Sequence, residues 1–232
     1  MSVSNFVNKK CKAIVIFIFS MISLGIFIVS ALFATLVCQK GYGLVVGILL
    51  MVLAIPFHIL GKKTPFGYLI SFAINSVANG FSVSAYYLVK DVAIDFGSMI
   101  IAAVLAVAVL LLVYLMMQVW SKTKRVTVSL AVIVNVLLMV AEVALWITRG
   151  TNLYSFGFFC LLIALFYLCV FGITINHEER PVLRDLSFGS FGSFIILTVV
   201  VIFILSEGDI LEGLDFDWGR DGKKKNKTKI SG

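Results

Sequence analysis

Long runs of uncharged apolar residues constrain this chain more than any other feature of its sequence. Residues 99–117, MIIAAVLAVAVLLLVYLMM, contain no charged side chain and show no alternation of apolar and polar positions. A helix needs roughly 20 apolar residues to cross about 30 Å of hydrocarbon, whereas a membrane strand alternates with a period of two over about ten residues. The run therefore predicts a transmembrane α-helix.

Seven segments meet or nearly meet this length: residues 13–37, 43–60, 66–88, 92–117, 126–148, 154–175 and 187–206. Hydrophobic residues make up 61% of the 232 residues and charged residues only 13%, which is too few to cover a water-soluble domain. We predict an all-α integral membrane protein of the cell membrane, a single bundle of about seven transmembrane helices formed by residues 1–206. Residues 207–232, acidic and then basic, are expected to form a largely disordered tail.

The lysines and arginines of the loops predict the orientation of the bundle. One side carries ten of them: Lys9, Lys10, Lys12, Lys62, Lys63, Lys122, Lys124, Arg125, Arg180 and Arg184. The other side carries three, Lys40, Lys90 and Arg149. Because basic residues concentrate in cytoplasmic loops, we expect a cytoplasmic N-terminus and an external C-terminus. The net charge of +7 reflects these loops and the tail, so it does not indicate a nucleic-acid partner.

The third segment is unusually polar for a membrane helix. Its stretch SFAINSVANGFSVSAYY, residues 71–87, carries two Asn, four Ser and a Gly. At 100° per residue, seven polar side chains share an arc of about 80°. This polar stripe consists of Thr64, Tyr68, Ser71, Asn75, Asn79, Ser82 and Tyr86. It must face protein or water rather than lipid, so it predicts either close helix packing or the wall of a solute pathway.

Asp95 in the fourth segment and Glu142 in the fifth are expected at a depth similar to that of the outer part of the stripe, and Asn135 is expected on the same face of the fifth helix as Glu142. A carboxyl group within a membrane helix usually marks a functional site or a buried pair. We expect these groups to converge on a site for a cation, a proton or a small polar solute. The alternative is that Glu142 pairs with Arg149 or a tyrosine hydroxyl. Asp91 is expected to cap the fourth helix. The candidate pathway residues are Ser71, Asn75, Asn79, Ser82, Asp95, Asn135 and Glu142.

The stretch SFGSFGSF, residues 187–194, combines a ridge of phenylalanines with a groove at Gly189 and Gly192. Small residues at this spacing predict close packing against another helix. Asp185 or Ser187 is expected to be the N-cap of the seventh helix.

No catalytic or metal-binding motif is complete. The chain has two histidines, His58 and His177, and its four cysteines show neither metal-ligand nor disulfide spacing. We therefore expect no cofactor and predict no enzyme activity. The preferred hypothesis is a membrane protein that binds or transports a small polar or cationic solute. The alternative is a non-catalytic accessory, sensor or immunity protein that acts through a membrane protein partner or as a homo-oligomer.

Overall fold

The computed structural model describes residues 9–39, 42–92, 96–119, 124–149, 152–176 and 181–206, and this part of the chain contains no strand. Its seven helices are α1 (Lys9–Val37), α2 (Tyr42–Leu60), α3 (Pro65–Val89), α4 (Phe96–Val119), α5 (Lys124–Arg149), α6 (Asn152–Asn176) and α7 (Val182–Leu205). Each helix is long and apolar enough to cross a membrane. The predicted all-α membrane bundle of seven helices is confirmed. The tail lies outside the described residues.

Three helices begin four or five residues away from their predicted starts. α1 begins at Lys9, four residues earlier than expected, α4 begins at Phe96, four residues later, and α7 begins at Val182, five residues earlier. Pro181 is the N-cap of α7, and Asp185 lies in the first turn, so the prediction that Asp185 or Ser187 caps this helix is wrong. Proline suits a helix start because its ring restricts φ and it has no N–H to leave unpaired.

Asp91 ends α3 rather than capping α4. It has a φ of 54°, and the Val92 N–H donates to the Tyr87 carbonyl oxygen at 2.9 Å. This hydrogen bond belongs to a Schellman motif, in which the residue after the helix takes the left-handed conformation that glycine usually provides. The prediction that Asp91 is the N-cap of α4 is therefore wrong. Aspartate adopts this conformation more readily than most other side chains, because its short polar group can hydrogen-bond locally.

α3 and α6 occupy the centre of the bundle. α3 packs against α1, α2 and α7, while α6 packs against α4, α5 and α7. The largest fully buried side chains include Tyr87, Tyr167, Phe27, Phe156, Phe159 and Phe171. α5 is peripheral, since it packs mainly on α6 and leaves much of its apolar surface exposed. In a bilayer those exposed side chains meet acyl chains, which are as apolar as leucine.

Glycines bring α1 and α2 close to α3. A Cβ added to Gly47 of α2 would lie 2.6 Å from Ser82 Oγ and 3.1 Å from the Ala78 carbonyl oxygen. A Cβ added to Gly80 of α3 would lie 2.6 Å from the Phe27 carbonyl oxygen of α1. Small residues allow membrane helices to approach this closely. These contacts hold α3 on two sides, and its polar stripe faces a third neighbour, α7.

Candidate functional site

The polar stripe lies inside the bundle where α3 meets α7. Four of its residues are fully buried: Ser71, Asn75, Asn79 and Ser82. Tyr68 and Tyr86 are each 6% exposed, whereas Thr64 precedes α3 and is exposed. The stripe therefore meets protein along most of its length.

Hydroxyl groups of α7 match the stripe along α3. Four hydrogen bonds cross this interface: Ser187 Oγ to Ser71 Oγ at 3.1 Å, Asn75 Nδ2 to Ser190 Oγ at 3.3 Å, Asn79 Nδ2 to Ser193 Oγ at 3.0 Å, and Thr198 Oγ1 to Ser82 Oγ at 3.2 Å. We call these eight residues the polar seam. The partners advance in the same direction on both helices, so α3 and α7 are parallel. Over the first three pairs, four-residue steps on α3 face three-residue steps on α7, as in the packing of left-handed helix bundles.

The serines of the seam leave the asparagine oxygens without a donor. Ser190 Oγ donates to the Ser187 carbonyl oxygen at 2.7 Å, and Ser193 Oγ donates to the Ser190 carbonyl oxygen at 2.9 Å. Because a hydroxyl has one proton, each of these serines can only accept from the asparagine that faces it. Asn75 Oδ1 and Asn79 Oδ1 have no hydrogen-bond partner within the described residues. The seam therefore contains two buried and unused acceptors.

His58 of α2 lies at one end of the seam. Its Nδ1 is 2.8 Å from Ser187 Oγ, and its ring packs edge-on against Tyr68 and Phe191. Ser187 donates its only proton to Ser71, so His58 Nδ1 is the donor in this contact and carries a proton. An imidazole thus closes the end of the seam that is expected to be cytoplasmic, with Nε2 as its remaining acceptor.

Sequence analysis missed the half of the seam that α7 provides. The prediction of close helix packing for SFGSFGSF was based on its phenylalanines and glycines, and the glycines do pack closely on α6. A Cβ on Gly189 would lie 2.6 Å from Val170 Cγ2, and one on Gly192 would lie 2.7 Å from Phe166 Cε1. The serines of the same stretch recur every three residues and face α3 instead. Serines three residues apart match asparagines four residues apart on a neighbouring helix, and this match could have predicted the α7 half of the seam.

Asn135 and Glu142 lie on a different interface, between α5 and α6. Asn135 is fully buried, and neither of its amide atoms has a hydrogen-bond partner within the described residues. Glu142 is partly buried, with its carboxyl group near Gly157 of α6 and with Oε2 buried and unpartnered. Arg149 is exposed, and the described residues show no ion pair between it and Glu142.

The expected convergence of the carboxyl groups with the stripe is not seen in the described residues. α3 reaches α5 where the rings of Tyr86 and Trp146 lie 5.5 Å apart, but its buried Asn and Ser side chains face α7. Glu142 faces α6 because α6, rather than α3, is the main neighbour of α5. Asp95 lies outside the described residues.

Two further buried polar contacts connect the central helices. Ser23 Oγ of α1 lies 2.8 Å from Ser76 Oγ of α3, and the Tyr87 hydroxyl of α3 lies 2.9 Å from Ser155 Oγ of α6. Sequence analysis did not select Ser76 because it lies outside the arc of the stripe. These contacts join neutral hydroxyls away from the seam, so substitutions at them can serve as controls for substitutions in the seam.

No protein-family model, curated protein or solved structure is significantly similar to the chain. Across the described ranges, no three His, Cys, Asp or Glu residues are grouped so that they could hold a metal ion. The chemistry of the site therefore has to be inferred from the seam itself: neutral hydrogen-bonding groups, two unused acceptors and an imidazole at one end.

Proposed function

We propose that this polytopic membrane protein binds or transports a small polar or cationic solute at the seam between α3 and α7. The observation that carries the proposal is the pair of fully buried, unpartnered oxygens, Asn75 Oδ1 and Asn79 Oδ1. An unpaired buried acceptor costs roughly 1–3 kcal/mol, and nothing in the packing of the helices requires two of them. A solute that donates to both oxygens would remove this cost.

The unused groups favour a particular class of solute. Both are carbonyl oxygens, which accept hydrogen bonds or coordinate cations and repel anions. The two asparagines are four residues apart, so their oxygens are offset by about 6 Å along the helix axis. That spacing fits a small donor with two amino groups such as urea, or a monovalent cation or primary ammonium ion that passes between successive sites.

Access to the seam requires α3 and α7 to separate, because four direct hydrogen bonds now join them. Hydrogen bonds between membrane helices contribute on average about 0.6 kcal/mol each, so opening such a set is energetically feasible. His58 contacts Ser187 at the expected cytoplasmic end of the seam, so opening from that end would also break this contact.

The proposal is tested by screening solutes against the purified full-length protein in detergent. The chlorides of sodium, potassium and methylammonium, together with urea, are the probes. Choline chloride at equal ionic strength controls for the size of the cation, and sodium sulfate, compared with sodium chloride, controls for the anion. We expect at least one probe to raise the melting temperature of the wild type and not that of the double variant Asn75→Leu/Asn79→Leu. Ser23→Ala, which removes a buried hydroxyl away from the seam, should retain the response. No stabilisation by any probe, or the same stabilisation of the double variant, would contradict the proposal.

A second candidate is the accessory, sensor or immunity protein that acts through partners. The close approach of Gly47 to Ser82 favours it, because this part of the stripe also serves helix packing. If this second function is correct, the asparagine variants should change the stability of the protein, and no small solute should have an effect.

A further inference from the structure

We propose that Glu142 takes up and releases a proton at the interface of α5 and α6, as a site separate from the polar seam. The proposal does not depend on solute binding between α3 and α7. It rests on the niche that holds the carboxyl group, and on two features of the described residues: no cationic partner lies there, and a second polar group in the same interface has no partner.

Gly157 of α6 forms the niche. A Cβ added there would lie 3.0 Å from Glu142 Cδ and 3.0 Å from each carboxyl oxygen, which is closer than side chains normally approach. Farther along the same interface, a Cβ added to Gly172 would lie 3.5 Å from Val128 Cγ1, an ordinary contact. The absence of a side chain is therefore needed at Gly157, where the carboxyl group sits, and not at Gly172.

Among the described residues, the groups around Glu142 provide no compensating charge. Cys160 follows Gly157 by three residues on α6. The ring of Tyr86 of α3 contacts the ring of Trp146 of α5, and Arg149 is exposed at the end of α5. On α4, the other neighbour of α5, the described residues include one ionisable side chain, Tyr114. A negative charge here would have no partner among the described residues in an apolar layer, which disfavours the charged form.

A proton is the ligand that this geometry fits. A metal ion would need several oxygen ligands, and within the described residues Glu142 has no neighbouring acid to share one. A proton needs a single lone pair, and Oε2 is buried with no hydrogen-bond partner. Two turns away on the same face, fully buried Asn135 leaves both amide atoms unpartnered, so the interface already holds polar groups that packing does not use.

The test compares the wild type with Glu142→Gln, which resembles the protonated acid in shape and charge. The melting temperature of the purified full-length protein is measured from pH 5 to pH 9. Deprotonation places an unpaired charge in the folded state, so the folded protein holds the proton more tightly than the unfolded chain and loses stability as the pH rises. We expect the two curves to meet at low pH and the wild type to fall below the variant by roughly 2–4 °C at high pH.

Two glycine variants form the matched control. Gly157→Ala fills the niche and displaces the carboxyl group from it, so the pH-dependent difference between Gly157→Ala and the double variant Gly157→Ala/Glu142→Gln should change by at least half. Gly172→Ala should leave that difference unchanged. Parallel curves for the wild type and Glu142→Gln would overturn the proposal even if Gly157→Ala fails to fold. Stabilisation of the wild type but not of Glu142→Gln by sodium or potassium, with no effect of pH, would overturn it in favour of a metal cation.

Discussion

Asn75 and Asn79 each keep one amide oxygen buried without a partner, although each uses its amide nitrogen to bind a serine of α7. A leucine of similar size would lose one interhelical hydrogen bond but would also remove the unpaired oxygen. The hydrogen bond contributes at most about 1.7 kcal/mol, and the unpaired oxygen costs roughly 1–3 kcal/mol. Helix stability alone therefore does not explain the choice of asparagine.

Asn79→Leu should consequently melt within about 4 °C of the wild type, since the two contributions nearly cancel within about 1 kcal/mol. Thermal unfolding in detergent measures this directly, with Ser193→Ala as the comparison that removes only the partner on α7. If Asn79→Leu lowers the free energy of unfolding by more than about 3 kcal/mol, the asparagine is structural, and this result would count against the proposed function.

Substitution of Asp91 tests the Schellman motif that ends α3. Its φ of 54° is strained for a residue with a side chain, and glycine adopts this conformation freely. Asp91→Gly should raise stability by up to about 1 kcal/mol, seen as a melting temperature roughly 2–4 °C higher. Lys90, directly before it, has a φ of −79°, so Lys90→Gly should lower the melting temperature instead. Equal effects of the two changes would contradict the Schellman ending.

The packing of α3 combines two kinds of contact. Glycines set its distance from α1 and α2, and hydrogen bonds connect it to α7. The hydrogen bonds can be exchanged for bonds to a solute, whereas the backbone contacts at the glycines cannot. We infer that α3 stays with α1 and α2 while α7 is the helix that moves.

Gly80→Ala tests the rigid side of α3. The added methyl would meet the Phe27 carbonyl oxygen at 2.6 Å, and backbone atoms cannot turn aside as a side chain can. We expect a loss of about 1–3 kcal/mol, measured by thermal or denaturant unfolding. Gly25→Ala on α1 is the control, because its Cβ would have nothing within 4 Å and alanine favours the helix by up to about 1 kcal/mol. A stable Gly80→Ala variant would disprove the close contact between α1 and α3.

The sequence was sufficient for features that depend on one helix at a time. Apolar length predicted the seven helices, and the 100° rotation per residue placed Ser71, Asn75, Asn79 and Ser82 on a face that is buried. It was insufficient where two helices meet, because which neighbour a face contacts depends on the packing of the whole bundle. The serines of α7 and the separation of Glu142 from the stripe belong to this second class. The N-cap of α7 at Pro181 and the role of Asp91 at the end of α3 were also not predicted.

The orientation of the bundle remains a prediction from loop charge. After its four cysteines are replaced by serine or alanine, single cysteines introduced at Asn152 and Thr123 should differ in their reaction with a membrane-impermeant maleimide. We expect labelling from outside intact cells at Asn152 and protection at Thr123. Labelling of Thr123 would reverse the orientation and would place His58 at the external end of the seam.

Locking the seam tests the central claim most directly. Ser82→Cys with Thr198→Cys replaces hydroxyls 3.2 Å apart, and Ser23→Cys with Ser76→Cys replaces hydroxyls 2.8 Å apart away from the seam. Both pairs are made in the cysteine-free protein and reconstituted in liposomes, and uptake of the probe that most stabilises the wild type is measured before and after oxidation. The account predicts that oxidation abolishes uptake for the seam pair, that reduction restores it, and that the control pair stays active in both states. Equal uptake by the oxidised and reduced seam pair would contradict it.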